Sequence, residues 1–452
     1  MFLILWYISI PQIVIMLLCL LLGMVSVILV RPPVDDWYQA DQYATGFRCG
    51  PPSGLLYLAA AIKDIADVRV IDGYREVDWQ GPHKADFVGA TSLFCDYQNA
   101  LSVLKNANGM RLLGGAQAYP LAERILAARP FVDAVVRGDG EDALRRLVAG
   151  DDPACIENVV SRGKDGAIVS NPSKRVTPGI LYDLSPMESP ESYEGKEMDT
   201  SFIRGCIWAQ RNGRCDYCSL LPGVRVMAPA EKPWAQIRLL RERYNAARIF
   251  ETGDTFMVGN YPRRLLEARP KDLADVTFRV YLNPTDLAEE NIALLAELGV
   301  REAFVGVEHA VPEILERAGK KLPRNIVQQL LNVQRHGIRT HVPFLYGLAG
   351  ETVETMQANY RLACELAERA DAALLMMTSS VVIPLPGSPY FEDLMNQATH
   401  LRQQDAFHYR SLTEQHLERQ TRVSLREAQG MVEQTLALVD APEHKTTYRL
   451  ES

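Results

Sequence analysis

The chain has 452 residues, 47% of them hydrophobic and 23% charged, an ordinary globular composition with room for two or three domains. Its formal net charge of -8 argues against the global positive field that draws proteins to nucleic acid, so nucleic acid is not an expected partner. The eight cysteines are mostly scattered singly, which argues against the disulfide framework of a small secreted protein.

The first 30 residues carry no charged side chain, and an apolar stretch of this length is a transmembrane candidate. However, no Lys or Arg precedes it as in a secretory signal, and residues 25–30 followed by Arg31 resemble the first buried strand of an α/β domain. Residues 1–23 are therefore expected to be either a membrane anchor or an over-extended start ahead of Met24. A membrane is an expected partner only in the first case.

From residue 24 to 150, apolar strands alternate with helical periodicity. Strands are predicted at 25–30, 68–71, 87–91, 111–113 and 134–136, with helices at 54–65, 97–106 and 120–128. This alternation predicts a doubly wound, Rossmann-like parallel sheet, which binds ligands at the carboxyl ends of its strands. Gly114, Gly115 and Gly138 follow the fourth and fifth strands, where glycine permits a tight turn or close approach to a large cofactor.

Turn-rich sequence over residues 151–197 predicts a linker with a small hairpin, and a second domain is expected at 198–395. Its strands are predicted at 200–205, 248–252, 277–282, 302–307, 340–346 and 376–383, with helices at 232–245, 260–268, 286–298, 311–318, 323–336 and 352–370. Six such units suit a partial β/α barrel with functional groups at the carboxyl ends of the strands. The last region, 396–452, is predicted to be a small helical cap, with a partner-binding helix as the alternative.

Three cysteines cluster in the loop after the first strand of that barrel. Cys206, Cys215 and Cys218 form a C-x8-C-x2-C pattern, and three thiolates suit iron–sulfur ligation that leaves one iron open to substrate. The alternative is structural zinc, which wants a fourth ligand such as His309 or His341. Exposed thiolates or a labile cluster indicate a reducing compartment.

Two parts of the chain resemble a known family. Residues 24–150 look like the cobalamin-binding domain of cobalamin-dependent radical S-adenosylmethionine (SAM) enzymes, and residues 198–395 resemble the radical SAM barrel. The first likeness rests on RPP (31–33), PPSGLLYLAAAIKD (51–64), VRVIDG (68–73), DFVGATS (86–92), LLGGAQA (112–118) and DAVVRGDGEDALRRL (133–147). The chain departs from the family in its eight-residue first cysteine spacing, where three is usual, and in lacking the Asp-x-His-x-x-Gly signature, since His83 lies in GPHKAD.

The resemblance implies a [4Fe–4S] cluster held by the three cysteines, SAM, and cobalamin, with no catalytic residue beyond the cluster ligands. It places SAM against strand-end residues of the barrel and cobalamin against the glycines of the first domain. The implied cofactor-binding residues are Glu251, Asp254, Arg279, Glu308, Gly347 and Gly350 in the barrel, and Gly114, Gly115 and Gly138 in the first domain. The residues themselves leave structural alternatives open: a helix cap for Glu308, an ion pair for Arg279 and turns for Asp254 and the two barrel glycines.

The implied activity is generation of a 5'-deoxyadenosyl radical that modifies a peptide or small natural product, with C-methylation as the leading outcome. Radical rearrangement, cyclisation or sulfur insertion is one alternative, and a non-enzymatic metal or cobalamin sensor is another. An external electron donor such as flavodoxin or ferredoxin is implied. The protein is expected in the cytoplasm, or anchored to a membrane facing it if residues 1–23 are genuine.

Overall fold

The computed structural model describes residues 24–35, 38–40, 50–221, 223–439 and 445–450, and the predicted leader at 1–23 lies outside them. Two compact units are present. The first consists of residues 24–35, 54–176 and 182–190, and the second of the described parts of 36–53, 177–181 and 191–452. Within the described ranges, every helix is too short or too polar to serve as a membrane span.

The first two strands fall in different units: β1 (Val25–Arg31) in the first and β2 (Tyr38–Ala40) in the second. The first unit continues with α1 (Ser53–Ile62), β3 (Ala66–Asp72), β4 (Lys84–Thr91), α2 (Tyr97–Lys105), β5 (Asn108–Gly114), α3 (Ala118–Ala128), β6 (Ala134–Val136) and α4 (Glu141–Val148). Strands β3, β1, β4, β5 and β6 pair in parallel in that order, which confirms the predicted α/β fold class. Their carboxyl ends therefore share one edge of the sheet.

Turn-rich composition predicts a linker over residues 151–197, but much of it folds onto the first unit. β7 (Val159–Arg162) and β8 (Ile168–Ser170) form a hairpin whose first strand pairs antiparallel with β6. Val159 and Val160 are fully buried, which favours this pairing over an open linker. At the start of the hairpin, Asn158 adopts a left-handed conformation, and its side-chain amide donates to the carbonyl oxygens of Asp139 and Lys174.

The second unit contains an eight-stranded sheet in the order β2-β17-β16-β15-β14-β13-β12-β9. Its strands are β9 (Met198–Thr200), β12 (Arg248–Glu251), β13 (Thr277–Leu282), β14 (Val300–Val305), β15 (Arg339–Tyr346), β16 (Leu375–Val381) and β17 (Lys445–Leu450); the separate pair β10 (Ile203–Arg204) and β11 (Arg225–Val226) is antiparallel. Its helices are α5 (Ile207–Asn212), α6 (Glu231–Tyr244), α7 (Tyr261–Glu267), α8 (Glu289–Leu298), α9 (Pro312–Arg317), α10 (Ile326–Arg335), α11 (Val353–Arg369), α12 (Pro389–Gln397), α13 (Tyr409–Gln420) and α14 (Leu425–Leu436). From β9 to β17 the pairing is parallel, so these carboxyl ends also share one edge.

The period-two pattern of β13 separates the two faces of this sheet. Phe278 and Val280 are buried, and the ring of Phe278 meets that of Trp234 on α6 at 5.8 Å. Arg279 and Tyr281 alternate with them and face the opposite side. The helix-covered face thus carries the apolar core, and the other face carries polar and aromatic side chains.

Two further sequence expectations differ from the fold. The single strand predicted at 200–205 is instead β9 followed by the separate β10, because the carboxylate of Glu251 accepts from the backbone amides of Phe202 and Ile203. The region 396–452, predicted to be helical, contains α13 and α14 but ends in β17. Thr446, Thr447 and Tyr448 favour a strand there.

Candidate active site

The three clustered cysteines lie in the loop between β10 and β11. Cys206 directly precedes α5, and the Cys218 amide donates to the Cys215 carbonyl oxygen at 2.9 Å. Gly205 has φ of +86°, and a Cβ there would lie 2.0 Å from the carbonyl oxygen of Gly223. Only glycine allows the first residue of this loop to lie so close to the backbone at the loop's end.

The environment of the three thiols opposes their ionisation. Burial raises the pKa of Cys206 and of Cys215, and raises that of Cys218 to about 12, with repulsion between the cysteine charges adding to the shift for Cys215 and Cys218. Metal ligation requires thiolates, which a bound cation stabilises. Three converging thiols that depend on a cation to ionise fit an iron–sulfur cluster.

The segment after α9 holds the cysteine loop through its backbone. The carbonyl oxygen of Ala318 accepts from the Asp216 amide at 3.0 Å, and that of Gly319 accepts from the Trp208 indole N–H at 2.9 Å. A Cβ on Gly319 would lie 3.0 Å from the carbonyl oxygen of Arg214. Tyr217 packs on a buried apolar cluster from the same region: Ile314, Leu315, Ala318, Leu348, Val382 and Tyr390.

A buried ion pair stands beside this loop. Lys320 Nζ lies 2.9 Å from Glu308 Oε1, and both side chains are about nine-tenths buried. Glu308 follows β14 with φ of +66°, so the predicted strand-end residue occupies a strained left-handed conformation. Burial raises the pKa of Cys206 and Cys215, and the positive charge of Lys320 opposes that rise. Lys320 is a site residue that sequence reasoning missed.

Glu251, at the end of β12, and Asp254, just after it, accept hydrogen bonds from the chain segment that leads into the cysteine loop. The Oε1 atom of Glu251 accepts from the amides of Phe202 and Ile203 at 2.9 and 3.1 Å, and burial raises its pKa to about 8. Asp254 Oδ2 accepts from the Gly205 amide at 2.8 Å. In the structure, both carboxyl groups therefore position this chain segment.

Arg279 lies within β13 and not at its carboxyl end. Its guanidinium pairs with Glu197 at 3.3 Å and Glu302 at 3.0 Å, and lies 4.4 Å from the ring centroid of Phe250. The structure thus provides the ion pairs that the sequence leaves open as an alternative. Cofactor binding by Arg279 stays a prediction.

Gly347 and Gly350 lie in the loop after β15, with φ of +95° and +85°. The fully buried Glu351 organises this loop, since its carboxylate accepts from the Gly347 amide and contacts His309 Nε2 at 2.7 Å. His309 Nδ1 accepts from the Val311 amide at 3.1 Å, so both of its ring nitrogens are engaged. This leaves His309 unsuited to be a fourth zinc ligand.

In the first unit, Gly114 ends β5, Gly115 follows it, and Gly138 lies just after β6. Gly115 has φ of +97°, and a Cβ there would lie 2.3 Å from the carbonyl oxygen of Ser92. The Ser92 hydroxyl donates to the carbonyl oxygen of Gly114 at 3.0 Å, while Gly138 has φ of +79°. His83 precedes β4, at the amino end of the sheet, and so lies away from the carboxyl edge. A cofactor at that edge would meet backbone and small side chains there.

Comparison with known proteins identifies the barrel region directly. Residues 200–363 match the model of the radical SAM superfamily. An uncharacterized methyltransferase of Pyrococcus horikoshii is 25% identical over 81% of this chain and 82% of its own. The anaerobic magnesium-protoporphyrin IX monomethyl ester cyclase of Rubrivivax gelatinosus is 23% identical over 78% of this chain and 65% of its own.

A solved structure extends the likeness to both units. The radical SAM methyltransferase TsrM from Kitasatospora setae, solved with cobalamin and a [4Fe–4S] cluster, superposes with a TM-score of 0.68 at 18% identity, over 93% of this chain and 92% of TsrM. TsrM has also been solved with its tryptophan substrate and a SAM analogue. The predicted family and fold class are thus confirmed. The chain contains a radical SAM domain at residues 200–363 and has the fold of TsrM.

Proposed function

We propose that this enzyme is a cobalamin-dependent methyltransferase that adds a methyl group to a carbon of a small organic molecule. The observation that carries the proposal is the convergence of three thiols, with the Glu308–Lys320 pair beside them, at the carboxyl edge of the second unit. Cys206, Cys215 and Cys218 would be the three cluster ligands, which would leave one cluster position for SAM. A fourth protein ligand would argue for structural zinc.

The proposed role of the chain's own residues is to bind and orient the cluster and SAM. The three cysteines would hold the cluster, which when bound would supply the electron for cleavage of a carbon–sulfur bond of SAM. Glu308 would accept hydrogen bonds from SAM, and Lys320 donates to its carboxylate and orients it. Gly347 and Gly350 have positive φ, which sets the path of the loop after β15. Glu251 and Asp254 fix the cysteine loop through its neighbouring amides.

The first unit is proposed to bind cobalamin, which serves as the methyl carrier. The backbone edge formed by Ser92, Gly114 and Gly115 suits close approach of a large ring, and no histidine is needed from this edge. The net change replaces a substrate hydrogen by a methyl group. That hydrogen leaves in 5'-deoxyadenosine, a second SAM supplies the methyl group, and two electrons come from an external donor such as flavodoxin or ferredoxin.

A small molecule is the proposed substrate class, since TsrM has been solved with tryptophan. The experiment is anaerobic reconstitution with iron, sulfide and methylcobalamin, followed by incubation with SAM, a reductant and tryptophan as the first probe. We expect a corrinoid spectrum that survives desalting, SAM cleavage that depends on reductant, and, for an accepted substrate, a product heavier by one methylene unit. A loaded enzyme that cleaves no SAM would contradict the proposal, and a product of unchanged carbon count would favour cyclisation.

A further inference from the structure

The loop after β15 is held from outside the barrel strands by α13, near the carboxyl terminus. His416 Nε2 lies 2.8 Å from the carbonyl oxygen of Gly347, and the His416 side chain is fully buried. A carbonyl oxygen only accepts, so Nε2 carries the proton and donates. Burial lowers the pKa of His416, which keeps the imidazole neutral. Leu417 closes the same side, since its Cδ2 lies 2.7 Å from where a Cβ on Gly347 would stand.

Two further backbone hydrogen bonds join the end of α13 to the loop. The Gly350 amide donates to the carbonyl oxygen of Gln420 at 2.6 Å, and the Arg422 amide donates to that of Glu351 at 2.9 Å. Together with His416, these bonds hold both ends of the segment 347–351. Each of these three hydrogen bonds joins residues about 70 positions apart in the sequence, so the pairing depends on the tertiary fold and not on local structure.

Tyr390 connects this arrangement to the cysteine loop. Its hydroxyl accepts from the Ala349 amide at 3.1 Å, and its ring centroid lies 4.5 Å from that of His416. Its own amide donates to the carbonyl oxygen of Asp216, between the second and third cysteines, at 3.0 Å. One residue therefore links α13, the glycine loop and the cysteine loop, through its side chain to the first two and its backbone amide to the third.

We infer that His416 is a positioning residue, which holds the glycine loop in its SAM-binding conformation through the Gly347 carbonyl. The inference rests on the proposed function, because it takes the loop to be part of the SAM site. If the loop is ordered before SAM binds, little binding free energy is lost in ordering it. A substitution that makes the free loop more mobile should therefore weaken SAM affinity. The three cysteines keep their ligand positions, and cluster content is expected to stay the same.

The test compares three variants of the full chain. His416→Leu removes the donor and stays apolar, whereas His416→Gln places an amide N–H where Nε2 was. Leu412→Ala is the matched control, since Leu412 is a buried residue of the same helix and its loss destabilises the helix while leaving the loop bonds in place. The measurements are the SAM dissociation constant and iron content of the reconstituted holoenzyme, and peptide-level hydrogen exchange of residues 347–351 without SAM.

We expect His416→Leu to weaken SAM binding by about fivefold, the effect of one lost hydrogen bond, and to speed exchange in the loop. His416→Gln and Leu412→Ala should stay within about twofold of the parent, below the effect of that bond. Equal weakening by Leu412→Ala, iron loss in His416→Leu, or unchanged exchange in its loop would each overturn the inference. If the parent holoenzyme itself binds no SAM, the proposed function fails, and the exchange comparison still decides whether His416 holds the loop.

Discussion

The carboxyl edges of the two sheets are lined by different chemical groups. In the first unit, Ser92, Gly114 and Gly115 meet through backbone atoms and one hydroxyl. In the second, the edge carries thiols and the buried pair of Lys320 and Glu308. A sheet edge lined by backbone atoms can recognise a ligand only by shape, so a substitution that adds side-chain atoms should impair it. A sheet edge lined by reactive side chains depends on those groups, so a substitution that removes one should impair it. The two edges should therefore fail under opposite kinds of substitution.

The largest effect is expected from deleting a thiol at the second edge. Replacing Cys206, Cys215 or Cys218 by Ala should abolish both iron–sulfur absorbance and 5'-deoxyadenosine formation, because each is proposed to supply a cluster ligand. Cys155→Ala is the control, since this cysteine is exposed in the first unit. Iron content and reductant-dependent SAM cleavage in anaerobically reconstituted protein are the measurements. A cysteine variant that keeps both would refute the ligand assignment.

The next effect should come from breaking the buried ion pair. Lys320→Met leaves the Glu308 carboxylate without its partner and is expected to cost about 3 kcal/mol of stability. Lys321→Met, the same change at the exposed neighbouring lysine, should cost less than about 0.5 kcal/mol. Thermal unfolding of the cluster-free proteins compares them, and the double change Glu308→Gln with Lys320→Met should recover part of the loss. Equal midpoints for the two single lysine variants would show that the pair contributes nothing.

At the first edge, an added methyl group should be harmful. Gly115→Ala places a Cβ against Ser92 at positive φ and is expected to cost about 2 kcal/mol and to reduce retained corrinoid. Gly150→Ala shares the positive φ but meets no atom within 4 Å, so it should cost about 1 kcal/mol and leave corrinoid retention unchanged. Spectra after desalting, together with unfolding midpoints, separate the two variants. Identical behaviour would mean that close approach at Gly115 is unimportant.

A further effect, spread over several pH units, is expected from the titration of Glu251. Its pKa is raised by burial to about 8, so between its ordinary value of 4.5 and 8 the folded state holds a proton that the unfolded state has lost. Stability contributed by the protonated group is therefore present at low pH and lost as pH rises, by up to about 1.4 kcal/mol per pH unit. Glu251→Gln removes that titration. Parallel unfolding curves for the parent and this variant from pH 5 to 8 would contradict the shifted pKa.

Sequence reasoning succeeds where local pattern decides the structure. Strands β12 to β16 lie within two residues of their predicted starts and ends, because apolar runs alternate there with amphipathic helices. The cysteine loop is recognisable from spacing alone, and the superfamily match over 200–363 agrees with it. These features depend on residues that are neighbours along the chain.

It fails where tertiary contacts decide. Lys320 and Lys321 look alike in AGKKLP, and only the fold buries the first against Glu308. His416 gains its role from Gly347, 69 positions upstream, so no local pattern marks it. Glu251 is conspicuous at a strand end, yet its fully buried carboxyl group accepts backbone hydrogen bonds from the neighbouring chain. Burial of a polar group is a property of the packed molecule.

The bonds from His416, Gln420 and Arg422 also bear on when the site can form during synthesis. The glycine loop gains these partners only after the ribosome has made residue 422, long after the cysteines have emerged. Nascent chains should therefore expose the three cysteines before the glycine loop has its final contacts. Stalled chains ending before residue 409 and after residue 439 would differ in protection of the loop if this order holds. Cofactor loading would then occur in two stages, with the contacts of α13 and Arg422 setting the second.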